Sequence, residues 1–181
     1  KAENIKNHQI AYLEGYLWDN EKAKDAMKKM VDICKADNQK IAFTLSDLFC
    51  VDRHRNSFDE FIKKNIDILF GNQEEFSAMV NSKNIEDGIA YAKSLNNLSV
   101  ITLAEKGSLI INNDTVTAIS AKPVSKVVDT TGAGDLFAAG FLYGITQQKN
   151  LKESGRLASI AAAEIISHFG ARPLVKLSSL I

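Results

Sequence analysis

The sequence has no excess of either charge and no long apolar run. Its 181 residues include 22 basic and 22 acidic side chains, so the net charge is zero with neutral histidines. Binding to nucleic acid or to an anionic membrane surface usually needs a basic excess, and this balance therefore argues against both partners. No apolar run reaches the roughly 20 residues that span a bilayer. The polar start Lys1–Asn7 also lacks the apolar segment of a signal peptide.

Cysteine is scarce, and the chain contains only Cys34 and Cys50. The two thiols are far apart and show no paired spacing, so we expect buried core thiols in a protein of the reducing cytoplasm. With the three histidines they form no metal-ligand spacing.

Three common site motifs are also missing. The chain has no Gly-x-Ser-x-Gly turn, which argues against a serine hydrolase. It contains neither a P-loop ending in Gly-Lys-Ser/Thr nor a strand-linked Gly-x-Gly-x-x-Gly. The two commonest nucleotide-binding motifs are therefore excluded.

Short apolar segments alternate with amphipathic helical patterns along the chain. This alternation predicts βαβ units, an α/β fold and a mainly parallel sheet flanked by helices in a single domain, residues 1–181. We expect strands at 9–13, 41–45, 66–70 and 98–103, and helices at 21–35, 58–64, 74–80, 85–95, 133–147 and 151–168. Residues 108–112 and 116–120 flank Asn113-Asp114-Thr115 and predict a β-hairpin near the C-terminal end.

The apolar segment Leu48–Val51 predicts a further strand, followed by a charged turn at Asp52–Arg55. That turn has two interpretations, which the sequence leaves open. It contacts an anion, or it is an exposed turn in which Asp52 pairs with an arginine.

The strongest candidate site is Asp129–Asp135, with the sequence Asp-Thr-Thr-Gly-Ala-Gly-Asp. The β-branched pair Val127-Val128 leads into it, and an apolar helix follows. Glycines on both sides of Ala133 let the backbone turn sharply and approach a ligand. Unpaired amides and the dipole at the helix start favour an anion. Asp135 is then placed to accept a proton, although a plain helix N-terminal carboxylate is the alternative.

Other candidates follow the predicted strands, where α/β sheets bind ligands. Besides Asp47, these are Asn72 with Glu75 and the turn Thr102–Gly107. Asn72 and Glu75 have the spacing of a helix capping box, or they face a phosphate, with Glu75 holding Mg²⁺ through water. The turn is a simple hairpin connection or the wall of a nucleotide site, and we expect Lys106 in it to be solvated.

The segment Asp129–Phe141 resembles the C-terminal signature of the ribokinase-like (PfkB) carbohydrate and nucleoside kinases. Supporting motifs occur in family order, namely Asn72-x-x-Glu75, Thr102-Leu103-x-x-x-Gly107 and, after the loop, Gly170-Ala171-Arg172-Pro173. Two further segments, Tyr12–Leu17 and Leu45–Arg55, are similar to the adenosine-kinase-like branch. The resemblance covers essentially the whole chain.

The resemblance implies a ribokinase-like, Rossmann-like fold and an ATP- and Mg²⁺-dependent kinase. The acceptor is a hydroxymethyl group of a ribosyl nucleoside, adenosine first, or of a sugar. Asp135 is the implied general base, and Gly132, Ala133 and Gly134 form the implied anion hole. Further roles are implied for a water-mediated Mg²⁺ ligand (Glu75), for ATP-binding residues (Asn72, Thr102, Gly107, Gly134, Ser159) and for a K⁺ site found in many members (Asp129, Thr131, Gly170).

Ala104 and Leu174 depart from the family pattern, in the nucleotide turn and near the cation respectively. Family members run to about 300 residues, the size of a large α/β domain. We therefore expect this chain to be the C-terminal ATP-binding and catalytic portion of the kinase. The N-terminal part would carry the lid, most sugar contacts and the surface of a homodimer. The alternative is a non-catalytic nucleotide-binding module without an acceptor site.

Overall fold

Strands and helices alternate along the chain, as the apolar pattern predicts. The computed structural model describes residues 8–181, so the expectation for Lys1–Asn7 lies outside the described residues. Its strands β1 to β6 form one sheet in sequence order, with bounds Ile10–Glu14, Lys40–Thr44, Ile68–Asn72, Leu98–Thr102, Ser108–Asn112 and Thr115–Ile119. Its helices α1 to α6 are Glu21–Ala36, Leu48–Asn65, Gln73–Ala78, Ile85–Ser94, Ala133–Thr146 and Leu151–Ile165. The predicted α/β class is confirmed.

The described chain separates into two compact units. The first contains the chain up to Ile101 together with Ile111–Val116, and it holds helices α1 to α4. The second contains Thr102–Ile110 and Thr117–Ile181, and it holds helices α5 and α6.

Strands β1, β2 and β3 of the first unit pair in parallel. Strand β2 lies between the other two, and Ile41, Ala42 and Phe43 in it are buried. Such a run fits the continuous apolar pattern of a parallel strand covered on both faces. Because the strands are parallel, their carboxyl ends meet at one edge. Tyr16 and Asp47 follow β1 and β2 there, and Asn72 is the last residue of β3.

The expected strand at Leu48–Val51 and the charged turn after it are wrong, because both belong to α2. Asp47 caps this helix, and its Oδ1 accepts a hydrogen bond from the Cys50 amide at 2.6 Å. Four apolar residues in a row favour a strand on sequence alone, but the helix buries only Cys50 and Val51 of them. Phe49 points away from the core and is 71% exposed.

The charged residues of α2 form ion pairs within the first unit. Arg53 contacts Asp19 through two nitrogens, at 3.0 and 2.7 Å, and His54 Nε2 lies 2.6 Å from the same carboxylate. Asp52 pairs with Arg55 at 2.8 Å, as in the second of the two interpretations left open by the sequence, although the pair lies on a helix.

An aromatic cluster joins α2 to the sheet in the first unit. Trp18, Phe43, Phe58 and Phe61 have ring centroids 4.6–6.4 Å apart, mostly in edge-on arrangements. Such pairs add stabilisation beyond the apolar area that they bury. The Trp18 indole donates to the Ser57 hydroxyl at 3.0 Å, so its polar atom is also satisfied.

Both cysteines are buried and free, as expected. Burial raises the pKa of the Cys50 thiol to about 11, with the nearby Asp47 carboxylate adding to the shift. Both therefore behave as inert core thiols at neutral pH. Among residues 8–181, no helix has the length and apolar character needed to cross a membrane.

Helices α5 and α6 of the second unit pack closely through glycines. A Cβ on Gly140 would lie 2.8 Å from Ala158 Cα, and one on Gly144 would lie 2.7 Å from Ser154 Cα. These distances are shorter than van der Waals contact, so the helices meet backbone to backbone at these positions.

The β-branched pair Val127-Val128, which leads into the loop before α5, forms no strand. In the part of the chain that the structure describes, residues 120–130 contain no helix or strand. Val127 is 53% exposed, and the Val128 amide donates to the Ile166 carbonyl at 2.8 Å. A β-branched pair needs a neighbouring strand to form a ladder, and here it meets the end of α6 instead.

The glycine packing predicts a stability difference between two substitutions in α5. We expect Gly140→Ala to lower the free energy of unfolding by about 1–3 kcal/mol, because the added methyl overpacks the interface with α6. Gly134→Ala is the control, since its methyl would meet nothing within 4 Å. Urea unfolding of the full-length protein measures both, and equal losses would contradict the close approach of the helices.

Candidate active site

The carboxylate of Asp129 organises the candidate anion loop. Its Oδ1 accepts hydrogen bonds from the Thr131 amide at 2.9 Å and from the Thr131 hydroxyl at 2.7 Å. Its Oδ2 accepts one from the Gly170 amide at 3.0 Å. These bonds, the Thr131 hydroxyl above all, lower the pKa of Asp129 to about 2. The structure thus brings together the three residues predicted for a cation site.

Gly132 turns the chain into α5. It adopts the left-handed conformation with φ of 80°, which is costly for other residues, and its carbonyl accepts from the Leu136 amide at 2.9 Å. A Cβ there would lie 3.0 Å from the Cβ of Ala171. Both the backbone conformation and the close neighbour therefore favour glycine at this position.

Of the next three residues, Ala133 forms a hydrogen bond within the loop, whereas Gly134 and Asp135 are exposed. The Ala133 amide donates to the Thr130 carbonyl at 3.1 Å. Gly134 and Asp135 are exposed, and a Cβ on Gly134 would meet nothing within 4 Å. Within residues 8–181, no hydrogen bond is recorded for the Gly134 amide or the Asp135 carboxylate. A helix N-terminus with free amides can receive an anion, and Asp135 is available beside it.

The turn after β4 also belongs to the second unit. The Leu103 amide donates to the Gly107 carbonyl at 2.8 Å, and Lys106 is exposed as expected. Gly107 has φ of 94°, and a Cβ on it would lie only 2.0 Å from the Ile119 carbonyl oxygen. Ala104 has φ of 51°, a left-handed conformation in which glycine is the cheaper residue. Ala104 therefore adopts the backbone conformation that this turn requires at some cost in strain.

Ser159 uses its hydroxyl to hold the chain between β6 and α5. Its Oγ accepts from the Lys122 amide at 2.6 Å and donates to the Ser120 carbonyl at 3.4 Å. The side chain is buried in α6. Any effect of Ser159 on ATP is expected to act through the position of residues 120–122.

In the first unit, Asn72 and Glu75 form the predicted capping box of α3. The Asn72 side chain accepts from the Glu75 amide at 2.9 Å, and Glu75 Oε2 accepts from the Asn72 amide at 2.9 Å. The Asn72 side-chain amide also donates to Glu75 Oε1 at 2.8 Å. Burial raises the pKa of Glu75 to about 7, and the Asp47 and Glu74 carboxylates add to the shift. The cap is confirmed, and a phosphate or metal role stays a prediction.

Glu75 and Asp129 can each contribute to binding of the expected ion, Mg²⁺ and K⁺ respectively, but neither has all of its oxygen lone pairs free. Both Glu75 oxygens already accept from Asn72, and the side chain is buried, so contact with Mg²⁺ through water suits it better than direct ligation. Asp129 accepts three bonds, and because a carboxylate offers about four lone-pair sites, one remains for K⁺. No group of three or more His, Cys, Asp or Glu in residues 8–181 is arranged to hold a metal ion.

The structure also shows an exposed apolar group that the sequence argument missed. Tyr16 and Leu17 follow β1, while Leu48 and Phe49 follow β2, and all four side chains are exposed. The Tyr16 amide and hydroxyl bond to Ser46, which holds the two segments together. The sequence could have indicated this group, because apolar residues directly follow two predicted strands, and ligands bind at such strand ends.

The sequence of the chain is similar to those of known proteins and of a protein family. Residues 1–177 match the pfkB family carbohydrate kinases. The chain belongs to this family. It is 39% identical over 121 residues to an uncharacterized sugar kinase of Archaeoglobus fulgidus, covering 62% of this chain and 45% of that protein.

Two solved structures of the family resemble the chain throughout. An adenosine kinase from Sinorhizobium meliloti has a TM-score of 0.95 and 38% identity, covering 99% of this chain and 55% of that one. A probable sugar kinase from Rhizobium etli has a TM-score of 0.96 and 34% identity, covering 100% and 57%. The predicted ribokinase-like fold is confirmed, and the chain spans about half the length of the curated relatives it matches.

The raised pKa of Glu75 predicts how stability depends on pH. As pH rises from about 4.5 to about 7, the unfolded chain ionises this carboxyl before the folded one does. The free energy of unfolding should therefore fall across this window, by up to about 3 kcal/mol, since each pKa unit corresponds to about 1.4 kcal/mol.

Glu75→Gln should remove most of this pH dependence, because the amide does not ionise. Glu86→Gln is the matched control, since Glu86 is an exposed acid in the first turn of α4 and does not contribute to the pKa shift of Glu75. Chemical unfolding at several pH values measures the slope, and an unchanged slope in Glu75→Gln would sink the assignment.

Proposed function

We propose that the full-length protein is an ATP-dependent kinase of the cytoplasm. It would phosphorylate a hydroxymethyl group of a ribosyl nucleoside, adenosine first, or of a sugar. The observation that carries this proposal is the exposed Asp135 in the first turn of α5. It follows the left-handed Gly132 and Gly134, where nothing lies within 4 Å of the position that a Cβ would take. Family membership over residues 1–177 supports the same chemistry.

In this proposal Asp135 accepts the proton of the acceptor hydroxyl. Its carboxylate has no partner within residues 8–181, so it is free to accept one from a substrate. An alcohol loses its proton late in phosphoryl transfer, and a carboxylate of ordinary basicity therefore suffices.

The start of α5 would hold the phosphoryl group during transfer. Amides of Gly132 and Gly134 are the available donors, while the Ala133 amide already bonds to Thr130. Donors fixed by the fold stabilise developing negative charge without reorganising, which is the main contribution that a protein makes to phosphoryl transfer. Thr102 and Gly107 would line the nucleotide.

Two ions complete the proposal. Mg²⁺, when bound with ATP, neutralises phosphate charge, and Asn72 with Glu75 would hold it through water. K⁺ would take the remaining lone pair of Asp129 beside Thr131 and Gly170. We also propose a homodimer, formed through the remainder of the protein.

A nucleoside acceptor is favoured over a free sugar by the exposed aromatic residues. Phe49 is 71% exposed and Tyr16 is 52% exposed, at the carboxyl ends of neighbouring parallel strands. Aromatic rings at a ligand-binding edge suit stacking on a base, because a planar base offers them a larger flat face than a sugar ring does. The Sinorhizobium meliloti relative, an adenosine kinase, supports the same acceptor.

The alternative is a nucleotide-binding module that transfers no phosphate. It is favoured by the fact that this chain spans about half of its relatives, so acceptor residues can lie elsewhere. Calorimetry with Mg-ATP beside a kinase assay on adenosine and ribose separates the two. Binding without turnover in the full-length protein would support the module.

The assignment of Asp135 predicts a large loss of turnover on substitution. We expect Asp135→Asn to lower kcat by about 10² to 10⁴-fold, because the amide cannot accept the proton. Affinity for ATP, measured by calorimetry, should change little.

Glu153→Gln is the matched control, since Glu153 is an exposed acid in the first turn of α6. It should leave turnover near the unsubstituted value. Near-normal kcat in Asp135→Asn would show that another group removes the proton.

The exposed aromatic residues predict selectivity for the acceptor. We expect Phe49→Ala to raise KM for adenosine by about tenfold, because base–aromatic stacking is worth about 1–3 kcal/mol. KM for ATP should not change. Tyr143→Ala, at an exposed aromatic on α5, is the control. Equal KM values for adenosine in Phe49→Ala and the unsubstituted enzyme would contradict the stacking role.

A further inference from the structure

Glu164 is a buried acid near the end of α6 that none of the roles above uses. Its side chain is 7% exposed. Oε1 accepts from the Leu174 amide at 2.9 Å and lies 3.1 Å from His168 Nε2. Oε2 is buried, and no partner for it is found among residues 8–181. A buried carboxylate oxygen without a partner is unfavourable, so its presence calls for an explanation.

The Glu164 carboxylate holds the segment Ser167–Leu174, which follows α6. In the structure this segment has neither helix nor strand. Its apolar side chains do not anchor it, because Phe169 is 81% exposed and Leu174 is 73% exposed. Its position therefore depends on polar contacts, and Glu164 makes two of them.

The same segment lies against the anion loop. The Gly170 amide donates to Asp129 Oδ2 at 3.0 Å, and Ala171 occupies the space that a Cβ on Gly132 would need. A second hydrogen bond joins the Val128 amide to the Ile166 carbonyl, just before the segment. A shift of the segment would therefore displace Asp129 and Gly132.

We propose that Glu164 is a positioning residue, which fixes the segment Ser167–Leu174 so that Gly170 and Ala171 hold the start of α5 in place. The contact runs from Glu164 to Leu174, along the segment to Gly170, and from there to Asp129 and Gly132. Only the consequence for ATP rests on the proposed kinase function. The anchoring itself does not depend on that function.

Hydrogen exchange in the full-length protein tests the anchoring without any activity measurement. In Glu164→Ala, the amides of Gly170, Leu174 and Thr131 should exchange about tenfold faster or more, because their hydrogen bonds open more often. Amides in the buried middle of α6 should keep their protection. Glu153→Ala, an exposed acid on the same helix, is the control and should change neither group.

Kinetics test the consequence for the site. Glu164→Ala should raise KM for ATP by about 10- to 100-fold and also lower kcat, because the displaced loop holds the phosphoryl group and leads into Asp135. KM for the acceptor should stay unchanged. Loss of folded protein would instead lower kcat with both KM values unchanged. Glu164→Gln should restore much of the ATP affinity, since its amide oxygen can still accept from the Leu174 amide. If Glu164→Ala does not fold, His168→Ala is used in its place, because, of the contacts of Glu164, it removes only that between His168 Nε2 and Glu164 Oε1.

Two results would overturn the proposal. One is unchanged exchange of the Gly170 and Thr131 amides in a folded Glu164→Ala protein. The other is an active enzyme whose Glu164→Ala variant keeps the original KM for ATP. If the unsubstituted protein transfers no phosphate, the proposed function fails, and the exchange measurement still decides whether Glu164 anchors the loop.

Discussion

The hydrogen bonds of Asp129 are the constraint on which the candidate catalytic loop depends. One carboxylate binds Thr131 in its own turn and Gly170, 41 residues further along the chain. The turn alone would be a short polar loop with several conformations of similar energy. The bond to Gly170 selects one of them, in which Gly132 is left-handed and α5 starts at Ala133. The open amides and the exposed Asp135 follow from that selection.

The capping box in the first unit illustrates how structural and chemical roles can share the same atoms. Asn72 and Glu75 complete the first turn of α3, and this explains their spacing without any ligand. The same arrangement buries a carboxylate and raises its pKa to about 7. A group of this kind can change its charge near neutral pH at small cost, and a plain solvent-exposed cap could not do so.

Much of the fold could be predicted from the sequence, because the apolar periods of most elements are clear. Helices α1 and α4 and strand β5 begin at the predicted residues. Leu48–Val51 failed because four apolar residues fit a strand as well as a helix, and the cap by Asp47 decides between them.

The candidate site was predictable to a similar degree. The motif Asp129–Asp135 identified the loop, and the spacing of Asn72 and Glu75 identified the cap. The exposure of Phe49 and the anchoring contacts of Glu164 could not be predicted, since both depend on which side of a helix faces the core. The use of the Ala133 amide by Thr130 likewise depends on the folded turn. Local pattern finds the residues, whereas tertiary contacts decide which of their atoms remain free.

The glycine contacts between α5 and α6 have a mechanical consequence. Where two helices meet backbone to backbone, neither can rotate about its axis or slide along the other without a steric clash. Gly140 and Gly144 place such contacts along the helix that starts at the anion loop. Helix α5 therefore holds the loop at its N-terminus in a fixed position relative to α6. In the proposed kinase, any opening that admits or releases a nucleotide would therefore come from the flanking segments and not from a change in the angle of this helix.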